Sequence, residues 1–147
     1  MSDSGEYIGW RKLREFADTD LTKSFILSWH AEVETLMIDV DLFLEPGHPF
    51  FEKPRPAEKV CIRQAIIEFS FCVSIKSDRC AAEGSLVEIA EALEIGAIEG
   101  LRRFSDGPFE IRGEFGVVRI DAERPILRLR GPLQKHYKKG ATDGTVD

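Results

Sequence analysis

The sequence predicts a mainly β fold, with α+β as the alternative class. It implies an antiparallel sheet folded as a sandwich, roll or partly open barrel, with a short N-terminal helix and a second short helix. Three observations carry this. Apolar and polar residues alternate at period two in several separated segments, the signature of strands with one buried face. Turn-forming residues such as Asp106-Gly107-Pro108 divide these segments at short intervals, leaving roughly six to eight antiparallel strands. Helical spacing is confined to two short stretches, 8–17 and 86–94.

In chain order, residues 1–7 are expected to form a flexible tail. Residues 8–17 place Trp10, Leu13, Phe16 and Ala17 at the spacing of a short amphipathic helix. Residues 24–45, SFILSWHAEVETLMIDVDLFLE, then read as a long β-hairpin. With Ala31–Glu34 as a four-residue loop, Trp29 faces Leu36, Leu27 faces Ile38 and Phe25 faces Val40. This register gathers the large apolar residues on one face. The second face sets Ser24 opposite Asp41, Ile26 opposite Asp39, Ser28 opposite Met37 and His30 opposite Thr35. A one-residue slip would send Asp39 and Asp41 into the core.

Residues 46–57 hold four of the seven prolines, which predicts a stiff loop outside the ladder. Phe50 and Phe51 lie within it, either pinning the loop to the core or forming an exposed aromatic element. Residues 58–76 resume strand character with both faces largely apolar, which predicts a central strand buried on two sides. Phe71, Val73 and Ile75 start a further alternation after a break near Ser70. Ser85 and Glu88 fit a capping box ahead of Leu86, Ile89, Ala90 and Leu93, so a helix is expected over 86–94. Residues 97–104 are a strand candidate weakened by Gly96 and Gly100. The segments 109–115, 117–121 and 127–130 alternate cleanly and predict three successive strands in a meander. Residues from about 132 to 147 form an expected second flexible tail.

A chain of 147 residues suits a single domain spanning 1–147, able to bury about 68–70% of its unfolded surface without staples. No apolar run approaches the roughly 20 residues of a membrane span. The acidic N-terminus lacks a signal-peptide core. The three cysteines, Cys61, Cys72 and Cys80, lack metal-type spacing and are expected to be free thiols in a cytoplasmic protein. A net charge of −6 argues against nucleic acid as the main partner. The charge is unevenly distributed. Glu32, Glu34, Asp39, Asp41 and Glu45 form one acidic run, and Glu83, Glu88, Glu91, Glu94 and Glu99 a second. Arg124, Arg128, Arg130, Lys135, Lys138 and Lys139 form a basic end. Such runs either solvate the surface or dock a charged partner.

No catalytic signature is present. GEFG at 113–116 lacks the spacing and following helix of a phosphate loop, and there is no nucleophile elbow. Asp39 and Asp41 project from one face of a strand about 7 Å apart, with His30 and His48 at the ends of the hairpin. Carboxylates and imidazoles can hold a divalent ion, but the spacing matches no zinc signature; no metal and no cofactor are expected. A glycosidase would need a cleft between its carboxyls that the sequence does not supply. Ser24 or Ser28 with His30 does not compose a triad; these hydroxyls are expected to bridge to the opposite strand.

The strings LTKSFILSW, LMIDVDLFL, HPFFEKP and EKVC, between Leu21 and Cys61, resemble a group of small uncharacterised bacterial proteins. GEFGVVRIDAERPILRL resembles the terminal hairpins of the same group. That wider group is similar to immunity-type proteins of bacterial toxin systems, which neutralise a toxin by binding it. The resemblance implies a β-rich fold. Two functional classes follow for the chain. The first is a non-enzymatic protein-interaction module, of immunity type or otherwise. It would meet a basic partner through Glu32, Glu34, Asp41, Glu45, His48, Phe50, Phe51 and Glu52. The second is a small-ligand-binding or metal-assisted hydrolytic β-domain using the face of Ser24, Ser28, His30, Asp39 and Asp41. The second requires that face to be concave.

Overall fold

The computed structural model describes residues 6–53, 60–79 and 84–129. Within them lie nine strands: β1 (Tyr7–Gly9), β2 (Thr19–Glu32), β3 (Thr35–Leu44), β4 (Cys61–Phe69), β5 (Ser74–Ser77), β6 (Gly96–Phe104), β7 (Phe109–Gly113), β8 (Gly116–Asp121) and β9 (Ile126–Leu129). One α-helix, α1 (Leu86–Ala92), joins β5 to β6. All strand pairs are antiparallel, in the order β5-β8-β7-β6-β2-β3-β4-β9, and β1 adds to β6. This is the mainly β antiparallel class read from the alternation.

The sheet does not close into a barrel, but it curls strongly. Phe69 of β4 and Phe109 of β7 meet edge to face with ring centroids 5.2 Å apart, although β6, β2 and β3 lie between those strands in the sheet. The two ends approach through their loops. The Val73 N–H donates to the Asp121 carbonyl at 2.9 Å, and the Glu123 N–H to the Ser70 carbonyl at 3.1 Å. The concave face encloses one core, to which every second residue of β3 contributes: Leu36, Ile38, Val40, Leu42 and Leu44 are all buried. The helix packs against β2 and β5. It begins with the capping box read from the sequence. Ser85 Oγ accepts from the Glu88 N–H at 3.2 Å, and the Glu88 carboxylate accepts from the Ser85 N–H at 2.8 Å. Among the described residues no helix is long and apolar enough to cross a membrane.

Four expectations are corrected. The N-terminal helix over 8–17 is instead a pair of 3-10 turns, Trp10–Lys12 and Arg14–Phe16. Its buried residues Trp10, Leu13 and Phe16 are three apart, which aligns them on one edge of a helix of period 3.0. At 3.6 residues per turn the third would point about 120° from the first. Ahead of these turns, Tyr7 belongs to β1 and pairs with Phe104. The remainder of the two expected tails, 1–5 and 132–147, lies outside the described residues.

The second correction concerns the central hairpin, which forms in a register shifted from that expected. Its loop is Val33-Glu34, Glu32 pairs with Thr35, and Trp29 pairs with Ile38 rather than Leu36. A shift of two preserves the faces, so Asp39 and Asp41 point away from the core as expected. Neither Val33 nor Glu34 has positive φ, so the loop carries none of the Asn-Gly chemistry that announces a two-residue turn. A tertiary contact braces it: the Glu34 carbonyl accepts from the Cys72 N–H at 2.7 Å. Further along, Ile26 pairs with Val40 and Ser28 with Asp39, so Leu27 has no counterpart on β3. This bulge reverses side-chain parity. Ile26 is 0% exposed in the core, whereas Phe25 (39%) and Leu27 (36%) face outward, opposite to the expected arrangement.

The third correction concerns β4. It is central, between β3 and β9, but buried on one face only. Cys61, Ala65, Ile67 and Phe69 enter the core, while Ile62 and Gln64 are exposed. An antiparallel sheet requires only one covered face, and the single helix lies against other strands. The fourth is the meander. β7 and β8 form the expected hairpin, but β9 leaves it to pair with β4. Strand β8 already has β7 on one edge and β5 on the other, so β9 has to find its partner elsewhere.

Candidate functional site

The uncovered face lies outside β2, β3, β4 and β9. Alternation from the buried set assigns its members. From β2 come Phe25 and Leu27; from β3, Met37, Asp39, Asp41 and Phe43; from β4, Ile62, Gln64, Ile66 and Glu68; and from β9, Ile126 and Arg128. A solvated sheet face is ordinarily polar. This one interleaves large apolar side chains with carboxylates. A shallow depression of about 310 Å³ crosses it, lined by Leu27, Ser28, Asp39, Val40, Gln64 and Ala65.

Three of the five residues expected to form a ligand face converge beside this depression. The Ser28 hydroxyl donates to Asp39 Oδ2 at 2.6 Å, and His30 Nε2 lies 3.4 Å from the same oxygen. The pairing of Ser28 with Asp39 follows from the two-residue register shift of the hairpin, which moves Ser28 from its expected place opposite Met37. Asp41 lies two residues along the same face, flanked across the ladder by Phe25 and Gln64. Among the described residues no hydrogen bond or ion pair engages the Asp41 carboxylate. Ser24 does not belong to this face. It is buried, donates to the Asp20 carbonyl at 2.9 Å and accepts from the Phe43 N–H at 3.0 Å. Together with the Asp20 carboxylate, which accepts from the Thr22 N–H at 3.0 Å, it stitches an irregular stretch of β2 where Leu21–Ser24 oppose Leu42 alone. Ser24 is therefore a structural residue.

The geometry bears on the chemistry available. Nucleophilic serine needs its proton directed to a base that is in turn oriented by a third group. Here the Ser28 proton goes to the carboxylate, and the imidazole contacts the carboxylate rather than the serine. The serine is thus not poised for attack. Among the described residues no three His, Cys, Asp or Glu side chains gather closely enough to hold a metal ion. Cys61 and Cys72 are free and buried; burial pushes the Cys72 thiol up to about 11, far from a reactive thiolate. Cys80 lies outside the described residues.

The eight residues expected to contact a partner are divided by the fold. Glu32 and Glu34 lie at the tip of the β2–β3 hairpin. Glu45, His48, Phe50, Phe51 and Glu52 follow the other end of β3. Ten residues of strand separate the two groups, about 30 Å, and Asp41 lies between them. Phe51 packs against the core and so pins the loop, while Phe50 is 40% exposed. His48 Nδ1 accepts from the Phe50 N–H at 3.0 Å. Burial holds the His48 pKa below the usual imidazole value, with the negative charge of Asp18 opposing that shift. Glu52 pairs with Arg63 of β4.

Of the basic end, the two described residues are both paired. Arg124 makes two hydrogen bonds to Glu15, at 2.6 and 2.9 Å, tying the β8–β9 link to the second 3-10 turn. Arg128 donates to Glu68 at 2.7 Å. Arg130 and the lysines beyond it lie outside the described residues.

The sequence reading missed Phe25, Leu27 and Gln64 as members of the face. No local signal marks a bulge at Leu27, which carries neither glycine nor proline. Neither a protein-family model, nor a curated protein, nor a solved structure matches this chain.

Proposed function

We propose that this protein is a non-catalytic binding module that docks a basic protein partner on the outer face of β2, β3 and β4. One observation carries the reading: Phe25, Leu27 and Ile62 are exposed on an uncovered sheet face around Asp41, a carboxylate without a hydrogen-bond or ion-pair partner among the described residues. Exposed apolar side chains grouped on one face favour burial against a second surface. A carboxylate among them favours a Lys or Arg at the matching position and steers the encounter. The resemblance to immunity-type proteins gives this reading its specific form, in which the partner is a toxin with a basic surface. Of the residues first expected to make the contact, Asp41 is retained. The hairpin tip and the proline loop lie beyond the centre of the proposed interface.

The test is capture of partners from the native host by immobilised protein, in parallel with surface variants that fold normally. Phe25→Ser and Asp41→Lys should each abolish retention of a specific partner, and Val33→Ser at the hairpin tip should preserve it. Retention should weaken with added salt. A partner lost with Val33→Ser but kept by both face variants would move the interface to the hairpin tip and end this reading.

A further inference from the structure

A second feature lies on the other half of the sheet. Between β1, the first 3-10 turn, β6 and β7 is a pocket of about 170 Å³. Gly9 and Gly100 line it together with Tyr7, Trp10, Arg102 and Arg112. Both glycines lack the usual reasons for being glycine. Neither has a φ in the left-handed region; Gly9 is extended at φ −72° and ψ 158°. A Cβ built on either meets nothing within 4 Å. Other glycines of the sheet are explained. Gly116 has φ +100°, Gly96 has φ +149°, and a Cβ on Gly113 would strike the Ala97 carbonyl and the Phe115 ring. Glycine within a strand weakens it and marks a bulge or the close approach of another group. Gly100 does sit at a register shift between β6 and β7, but without the positive φ for which a bulge selects glycine. Two glycines whose conformation and packing would both admit a side chain keep one small area of surface open.

The charge around this opening is unbalanced. Glu110 Oε1 accepts from Arg102 Nε at 2.8 Å and lies 3.4 Å from an Arg112 terminal nitrogen. Among the lining residues one carboxylate faces two guanidiniums, so one positive charge is left over. Arg102 is held in place by stacking over the Tyr7 ring, 4.4 Å from its centroid, which reduces the entropy lost when it meets an anion. Tyr7 and Trp10 are among its lining residues, and the volume is close to that of a cavity known to admit benzene, about 150 Å³. We propose that this pocket binds a small aromatic carboxylate. Its ring would lie over the Gly9 and Gly100 backbone, and its carboxylate would meet Arg112 and Arg102.

Benzoate is the probe, with benzylammonium as the control of like shape and opposite charge. In a ¹⁵N-correlated NMR titration of the full chain, benzoate should shift the Gly9 and Gly100 amides saturably, and benzylammonium should not. Gly100→Val should fold with an unchanged or raised melting temperature, because a β-branched residue suits a strand and its Cβ enters open space. It should also lose the benzoate response. Arg112→Met, which leaves both glycines in place, should weaken benzoate about tenfold, the scale of one charge-assisted hydrogen bond. The proposal is overturned if benzoate produces no saturable shift, if benzylammonium binds equally well, or if a folded Gly100→Val or Arg112→Met protein binds benzoate as the wild type does. If Gly100→Val does not fold, Gly9→Ala substitutes for it with the same two outcomes.

Discussion

The reversal of parity at Leu27 makes a sharp prediction about two neighbouring residues. Ile26 is wholly buried and Phe25 is 39% exposed, the opposite of what period-two alternation through Trp29 implies. Threonine at either position keeps β-branched strand character, so the comparison isolates burial. Ile26→Thr removes buried hydrocarbon, about 1.5 kcal/mol, and leaves a hydroxyl without a partner, about 2 kcal/mol more. The expected loss is therefore about 3–4 kcal/mol. Phe25→Thr gives up only part of the contact of a ring already in water, about 1 kcal/mol. At roughly 2–4 °C per kcal/mol for a domain of this size, Ile26→Thr should melt about 6–16 °C below the wild type and Phe25→Thr about 2–4 °C below. Urea unfolding should show the same order in midpoint with unchanged slope. Equal losses, or a larger loss for Phe25→Thr, would place Phe25 in the core. That result would remove both the bulge and the apolar patch on which the proposed interface depends.

Two further outcomes test the rest of the structure. The Arg124 hydrogen bonds lower the Glu15 pKa from 4.5, so this pair stabilises the fold fully above about pH 4.5 and progressively less as pH falls through the lower folded value. Urea midpoints measured from pH 7 to pH 3 should fall more steeply in this acid range for the wild type than for Arg124→Met, and identical profiles would show that the pair contributes nothing. Cys61 and Cys72, both buried, should resist a thiol reagent at neutral pH in the folded protein. Under denaturing, non-reducing conditions all three cysteines should react, and a count of one would reveal a disulfide.

Local chemistry suffices for α1, because Ser85 and Glu88 satisfy the first-turn donors from within the same few residues. It also suffices for the inward and outward faces of β3, where Leu36 through Leu44 alternate without interruption and any odd slip would bury Asp39 and Asp41. The antiparallel class follows from the same alternation repeated along the chain. The register of the hairpin does not follow, because apolar matching cannot distinguish shifts of two. It is decided by the Val33-Glu34 turn and its brace from Cys72. The bulge at Leu27 is equally invisible locally, yet it exposes Phe25, while the shifted register of the hairpin brings Ser28 to Asp39. The partner of β9 depends on β5 having taken the free edge of β8. The open pocket lined by Gly9 and Gly100 joins residues ninety-one positions apart. Hydrophobicity and backbone donors within a few residues therefore suffice for the faces of β3, the start of α1 and the β-rich class. Which edges meet and which outward side chains become neighbours is set by long-range packing, because a strand edge offers the same donors and acceptors to any partner, and the choice among partners is made by how the whole sheet curls around its core.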